Sequence, residues 1–349
     1  MKTSFVSTSS VSQALRYQLM RMQSQLVGAN KEMQNGVVAD RGLALGARTT
    51  QSISLNRDME RVNGIIDQNG LVASRLTATQ NALKQIEEKA QTLLSTLTAG
   101  INGEATQAVT LVDAKGTLSS LTSIANTTLN GEHIFAGINT DVKPLDDYTA
   151  AGSPAKAAFD ASFQSFFGFA QSDPAAANIT AAQMTSFIDT VVVPDFMGAG
   201  WDTNWSQASD QTITSRIALN ETLNTSVNAK DDSFRKLAMA ATAVYEMLSS
   251  PTMSTAAKTA VTERAHSMVG EAIADLATLQ SETGVIQQRV SKATERLQTQ
   301  SDLLESTIGK MEAVDPYEAQ TKVSMLMEQI ELSYALTARL QKLSLSKFL

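Results

Sequence analysis

No cysteine occurs among the 349 residues, so disulfides and thiolate metal sites are excluded and the redox compartment is not encoded. Only two histidines are present, His133 and His266. A nucleophile–base pair would have to use one of them, and neither sits in a recognisable catalytic motif. Proline is scarce, at positions 144, 154, 174, 194, 251 and 316, which leaves the first 143 residues without that helix breaker. No apolar run reaches the length of about eighteen residues that a membrane span needs, so no membrane insertion is expected. The opening stretch, Met1 to Gln18, lacks the apolar core of a secretory signal, and no cleavable signal is expected. An excess of positive charge is missing too: 28 basic residues stand against 35 acidic ones, a net −7. A nucleic-acid partner, which needs a concentrated cationic face, is therefore not expected. The basic residues near the ends (Lys2, Arg16, Arg21 and Lys31; Arg339, Lys342 and Lys347) read as solvated faces or polymer contacts.

What fills the chain instead is helical periodicity. Leu15, Leu19, Met22, Leu26, Ala29 and Met33 step by 4, 3, 4, 3 and 4, which holds one apolar stripe against a partner helix. Asn35-Gly36 ends this helix, and residues 36–50, with three glycines, read as loop or broken helix. A second seam runs Leu55, Met59, Val62, Ile66, Asn69, Ala73 and Leu76, then Leu83, Ile86, Ala90, Leu93 and Leu97, with a phase skip expected near Thr79. At 1.5 Å per residue, 51–98 would be about 70 Å long. A third helix is expected over 104–129. The other arm answers with Val261, Ala265, Met268, Ala272, Leu276, Leu279, Ile286, Val290, Ala293, Leu297, Leu304 and Met311. Asp315-Pro316 then opens a last helix over 317–345. That helix carries two apolar stripes: Val323, Leu326, Ile330 and Tyr334, and Met325, Leu332, Leu336 and Leu343. A helix apolar on two sides must be covered on both, which points to assembly with other chains.

Between the arms lies an aromatic insert. Seven of the eleven phenylalanines fall between Phe159 and Phe196, and Trp201 and Trp205 follow. Ala155–Phe169 and Ala181–Val192 suit short helices, and Thr212–Ala218 with Thr222–Val227 suits a hairpin around Asn220-Glu221. The fold class is thus mainly α: a long antiparallel helical rod or coiled coil built from both termini, with a small mixed α/β insert. Its expected parts are an axial helix and loop (1–50), a rod (51–139), the insert (140–230), the returning rod (231–314) and a terminal axial helix (315–349).

Catalytic and metal chemistry finds little purchase. Glu263-Arg-Ala-His266 has the E-x-x-H spacing of a helical di-iron ligand pair, but such bundles need two copies and further inward glutamates. The other histidine, His133, follows Glu132 directly, which is the wrong spacing. Asp146-Asp147 and Asp231-Asp232 read as solvated loop acids, and Gly42-Leu-Ala-Leu-Gly46 lacks the lysine of a phosphate loop. No enzyme activity, cofactor or metal is expected. The remaining enzyme alternative, a metal bundle using Glu263 and His266, predicts tightly bound iron or manganese.

Three stretches carry a likeness. Leu121-Thr-Ser-Ile-Ala-Asn126 with Gly131-Glu-His-Ile-Phe-Ala-Gly137, the block Asn63-Gly-Ile-Ile-Asp-Gln-Asn69 through Leu83, and the tail from Tyr334 through Leu-Ser-Leu-Ser-Lys-Phe-Leu349 resemble the hook–filament junction proteins of the flagellin superfamily. The family's "SSG…DDP" element is replaced here by Gln34-Asn-Gly-Val-Val-Ala-Asp40, which leaves that loop's conformation open. The resemblance implies a structural adaptor of the third hook-associated class, extracellular, exported through the flagellar type III channel. It implies a ring of identical subunits, contacts with the first junction protein and with flagellin, and a cytoplasmic export chaperone. On this reading the assembly interface comprises Leu15, Leu19, Met22, Leu26, Met33, Val323, Met325, Leu326, Ile330, Leu332, Tyr334, Leu336 and Leu343. Filament flagellin is the alternative within the superfamily. Outside it, a self-contained coiled-coil binding module of a phage or secretion apparatus would keep its terminal helices folded in dilute monomer.

Overall fold

The computed structural model describes residues 8–345, and side chains over 10–339. Lys2, Lys342, Leu343 and Lys347 fall outside the described residues or side chains. In chain order the elements are α1 (Thr8–Asn35), α2 (Arg41–Leu45), α3 (Thr49–Ile101), α4 (Gln107–Ala125), β1 (Thr128–Leu129), β2 (Glu132–His133), α5 (Pro154–Phe167), α6 (Ala181–Phe187), α7 (Val193–Met197), α8 (Ala199–Asn204), β3 (Thr214–Ala218), β4 (Glu221–Asn224), α9 (Asp232–Ser249), α10 (Thr255–Glu312) and α11 (Pro316–Leu345). The chain is mainly helical, with long helices from both arms and a small mixed insert. It divides into two compact units, one of residues 1–64 with 297–349 and one of residues 65–296.

In the larger unit, α3 and α10 run antiparallel. Gln80 Nε2 donates to the Gln280 carbonyl, Gln287 Nε2 to Thr77 Oγ1, and Asn69 Nδ2 to Thr294 Oγ1 at 3.0 Å, so partners fall along one helix as they rise along the other. The buried line of α3 reads Val62, Ile65, Asn69, Val72, Leu76, Thr79, Leu83, Ile86, Ala90, Leu93 and Leu97, in unbroken steps of three and four. The phase skip expected near Thr79 does not occur, and Ile65 and Val72 are buried where Ile66 and Ala73 were expected. Thr79 can occupy the seam because its hydroxyl donates to the Arg75 carbonyl of its own helix at 2.9 Å, leaving only its methyl group to pack. Asn69 is admitted because its amide also reaches the Ile217 carbonyl of β3 at 2.9 Å.

The insert packs on this scaffold around an aromatic core. Ser153 caps α5 by accepting from the Lys156 amide, and Gly168 ends it at φ 82°, a left-handed position open to a residue without Cβ. Thr180 and Gln183 form a reciprocal cap on α6, which continues through one π turn over Ile188–Val192. β3 and β4 pair antiparallel with a bulge between Arg216 and Ala218. Phe163, fully buried, meets Phe167 and Phe187 at 4.6 and 5.5 Å, while Tyr148, Trp205 and Trp201 stack at 5.1 and 5.3 Å. Residues 232–249 were expected only as part of the returning rod (231–314), with no separate helix singled out. There α9 is enclosed nearly all round, against α4 among others.

Inside this core, Tyr148 donates to Glu246 Oε1 at 2.7 Å and Lys156 pairs with Glu246 Oε2 at 3.0 Å. Burial nevertheless pushes the Glu246 carboxyl above its ordinary 4.5, so the folded chain holds that proton more tightly than the unfolded one. The associated stability is fully present below 4.5 and is lost as pH rises through the folded value. Glu246→Gln should flatten this descent: as pH rises above 4.5 the urea midpoint of the native protein is expected to fall relative to the variant's. Parallel curves would remove the assignment.

Candidate assembly surface

Within the smaller unit α1 and α11 pair antiparallel. Gln23 Nε2 donates to Tyr334 Oη at 3.0 Å, and Lys322 Nζ meets Glu32 at 3.1 Å one end further on. The seam between them buries Met22 and Ala29 against Ala319, Val323, Leu326 and Ile330, with Leu26 half-covered. Steps of 4, 3, 4 and 3 continue from Ala319 to Ser333, which is 7 % exposed. Ser333, not Tyr334, therefore takes the fourth place of that stripe, and Tyr334 lies off it at 52 % exposure. The phenol needs its Gln23 partner and water, which a seam position would deny it.

The joint below the pair is closed by backbone and one acid. Val38 N donates to the Glu312 carbonyl and Val314 N to the Gly36 carbonyl, each at 2.9 Å. The Glu312 carboxylate, 2 % exposed, accepts from Ser52 Oγ and pairs with Arg41 at 3.0 Å. Asp40 caps α2 through the Leu43 amide at 3.0 Å. Residues 36–48 are thus a short helix and turns rather than open loop.

The expected interface residues separate into two groups. Met22, Val323, Leu326 and Ile330 are buried in the intrachain seam, and Leu15, Leu19 and Leu26 are half-buried. Met33, Met325, Leu332, Tyr334 and Leu336 are exposed; Leu343 lies outside the described side chains. At about 100° per residue, Met325, Leu332 and Leu336 share one stripe of α11, about 120° from the seam. Met327, 49 % exposed, and Tyr334 flank the seam on its other side. The face of α1 opposite the seam carries Tyr17, Met20 and Val27, exposed at 69, 60 and 58 %. Tyr17, Met20 and Val27 step by 3 and 7, but Ser24 interrupts them, so the fuller heptad of Leu15 to Met33 masks this back face in the sequence.

The motif stretch 134–137 lies in the larger unit. Ile134, Phe135 and Ala136 are fully buried, with Ala229 N donating to the Phe135 carbonyl and Ser209 N to the Ala136 carbonyl. The sites weighed for chemistry are dispersed: Glu263 is exposed and His266 half-exposed on α10. Asp147 and Asp231 accept hydrogen bonds from Thr149 and Ser233. Among the described residues no three His, Cys, Asp or Glu side chains converge, and no helix is long and apolar enough to cross a membrane.

Comparison with known proteins adds three findings. Residues 6–140 match the bacterial flagellin N-terminal helical region, and residues 266–349 match the bacterial flagellin C-terminal helical region. In structure the chain is similar to a flagellar hook-associated protein from Vibrio parahaemolyticus, with a TM-score of 0.51 at 11 % identity over 76 % of this chain and 97 % of that one. At that identity the likeness speaks to the fold. No curated protein matches the chain.

Proposed function

This chain belongs to the flagellin superfamily, whose members are structural subunits of the extracellular flagellum, and from that premise we propose that it serves as an adaptor at the hook–filament junction. The observation that carries the reading is the α1–α11 pair, which satisfies its own seam and still exposes apolar side chains on further faces. Each leucine-sized side chain left in water forgoes about 1.5–3 kcal/mol, and water offers no compensation. A second copy of the chain does. The back of α1 and the stripe of α11 are different surfaces, so a contact between them is heterologous, and repetition closes a ring or winds a helix.

The junction position, rather than the filament shaft, is favoured by the Ile134–Gly137 stretch and by the fold shared with a hook-associated protein. On this reading the neighbours are the first junction protein on one side and flagellin on the other. During type III export a cytoplasmic chaperone covers the stripe of Met325, Leu332 and Leu336. A fluorescently tagged copy is expected as a single focus at the distal end of each hook. Label along the whole filament would establish a flagellin instead. Terminal helices resistant to protease in dilute monomer would favour a self-contained coiled-coil module.

A further inference from the structure

The larger unit contains a pocket of about 280 Å³ where the end of α3, the start of α4 and the start of α10 converge. Its wall includes Gly100, Gln107, Thr110, Thr255, Lys258 and Thr262, and no acidic residue lines it. Thr110 is 2 % exposed, and its hydroxyl has no hydrogen-bond partner among the described groups. Thr110 lines the pocket, so the partner of its hydroxyl must come from what enters there. Lys258 has no carboxylate partner among the described residues; its one polar contact is Gln107 Oε1 at 3.4 Å. Burial lowers the Lys258 pKa with no opposing charge to restore it. Thr106 makes no side-chain cap on α4, so the positive end of a 19-residue helix also opens there without a local acceptor. Gly100 keeps the space clear, since a Cβ at that position would come within 3.3 Å of Thr110 Oγ1.

We propose that this pocket binds a small tetrahedral oxyanion of the phosphate type, held by the Lys258 ammonium and the Thr110 hydroxyl. Donors arriving from separate helices suit a tetrahedral anion better than a planar carboxylate, which prefers a parallel pair of donors. The anion joins the ends of three helices and so stabilises the larger unit. It is independent of where the subunit sits in the flagellum.

The test titrates inorganic phosphate into the full-length chain, following phosphorus NMR line width at ionic strength held constant with sodium chloride. The native protein should show saturable broadening. Lys258→Gln and Thr110→Val should each weaken the dissociation constant by about tenfold, the worth of one charge-assisted hydrogen bond. Gly100→Ala, which fills the cradle without removing a donor, should weaken it as well, and unchanged circular dichroism would show that all three variants fold. Broadening that never saturates, or that is equal in native protein and variants, would overturn the site, leaving only the general stabilising action of phosphate on proteins.

Discussion

Leu332→Asp or Leu336→Asp is expected to leave the monomer folded while abolishing its polymerisation. Both side chains are more than half exposed, at 64 and 52 %, and lie off the intrachain seam of Val323, Leu326 and Ile330 by their helical position. Their loss should move monomer stability by no more than about 0.5 kcal/mol. Between copies the same substitution deletes the burial of a leucine and asks for burial of an unpaired carboxylate. A penalty of about 3 kcal/mol per contact is a hundredfold in each association step, compounded around a ring. Leu326→Asp makes the control: at 8 % exposure beside Ala29 and Val323, it should separate α1 from α11 within one chain. Circular dichroism and sedimentation of each purified variant, with hook–filament assembly scored on cells, distinguish the two failures. Normal filaments on cells carrying Leu336→Asp would remove α11's exposed stripe from the interface.

The second large effect is expected from a single methyl group. Gly137 sits at φ 65°, and a Cβ there would lie 2.5 Å from the Gln211 carbonyl oxygen and 2.9 Å from that of Ser209. Both obstacles are backbone, so no rotamer change relieves them. Left-handed φ alone costs a residue with Cβ about 1–2 kcal/mol. Displacing the 209–211 segment also disturbs the bond from Ser209 N to the Ala136 carbonyl and the adjoining bridge of Ala136 to Asn228. Gly137→Ala should therefore lower unfolding free energy by about 3 kcal/mol or more, read as a shift in the urea midpoint. A neutral substitution would mean that this loop is free to move. The glycine of the motif is thus a packing necessity of the insert, and its neighbours Ile134 and Phe135 supply core.

Several elements could be read directly from the residues. Asn35-Gly36 stops α1 at Asn35, Pro316 opens α11, and the insert helices and hairpin lie close to the expected spans. Each rests on chemistry local to a few positions: a cap, a left-handed glycine, alternation. The seam of α3 was harder, because Asn69 and Thr79 belong to it only through bonds that satisfy them: to the Ile217 carbonyl in one case, to the helix's own backbone in the other. Helix α9 falls inside the expected returning rod but is a separate helix ending at Ser249, because Ser250 before Pro251 leaves helical geometry.

For the assembly surface the division is similar. Sequence alone determined that α11 is apolar on more than one side, because 3.6-residue periodicity is a property of the chain itself. Only the tertiary structure decided which apolar residues remain free. Once α1 turns back on α11, Met22, Val323, Leu326 and Ile330 are covered by the chain's own helix, while Tyr17, Met20, Leu332 and Leu336 face water. Spacing ranks side chains by the face they share, whereas the identity of the covering partner depends on where the backbone returns, and no spacing rule contains that.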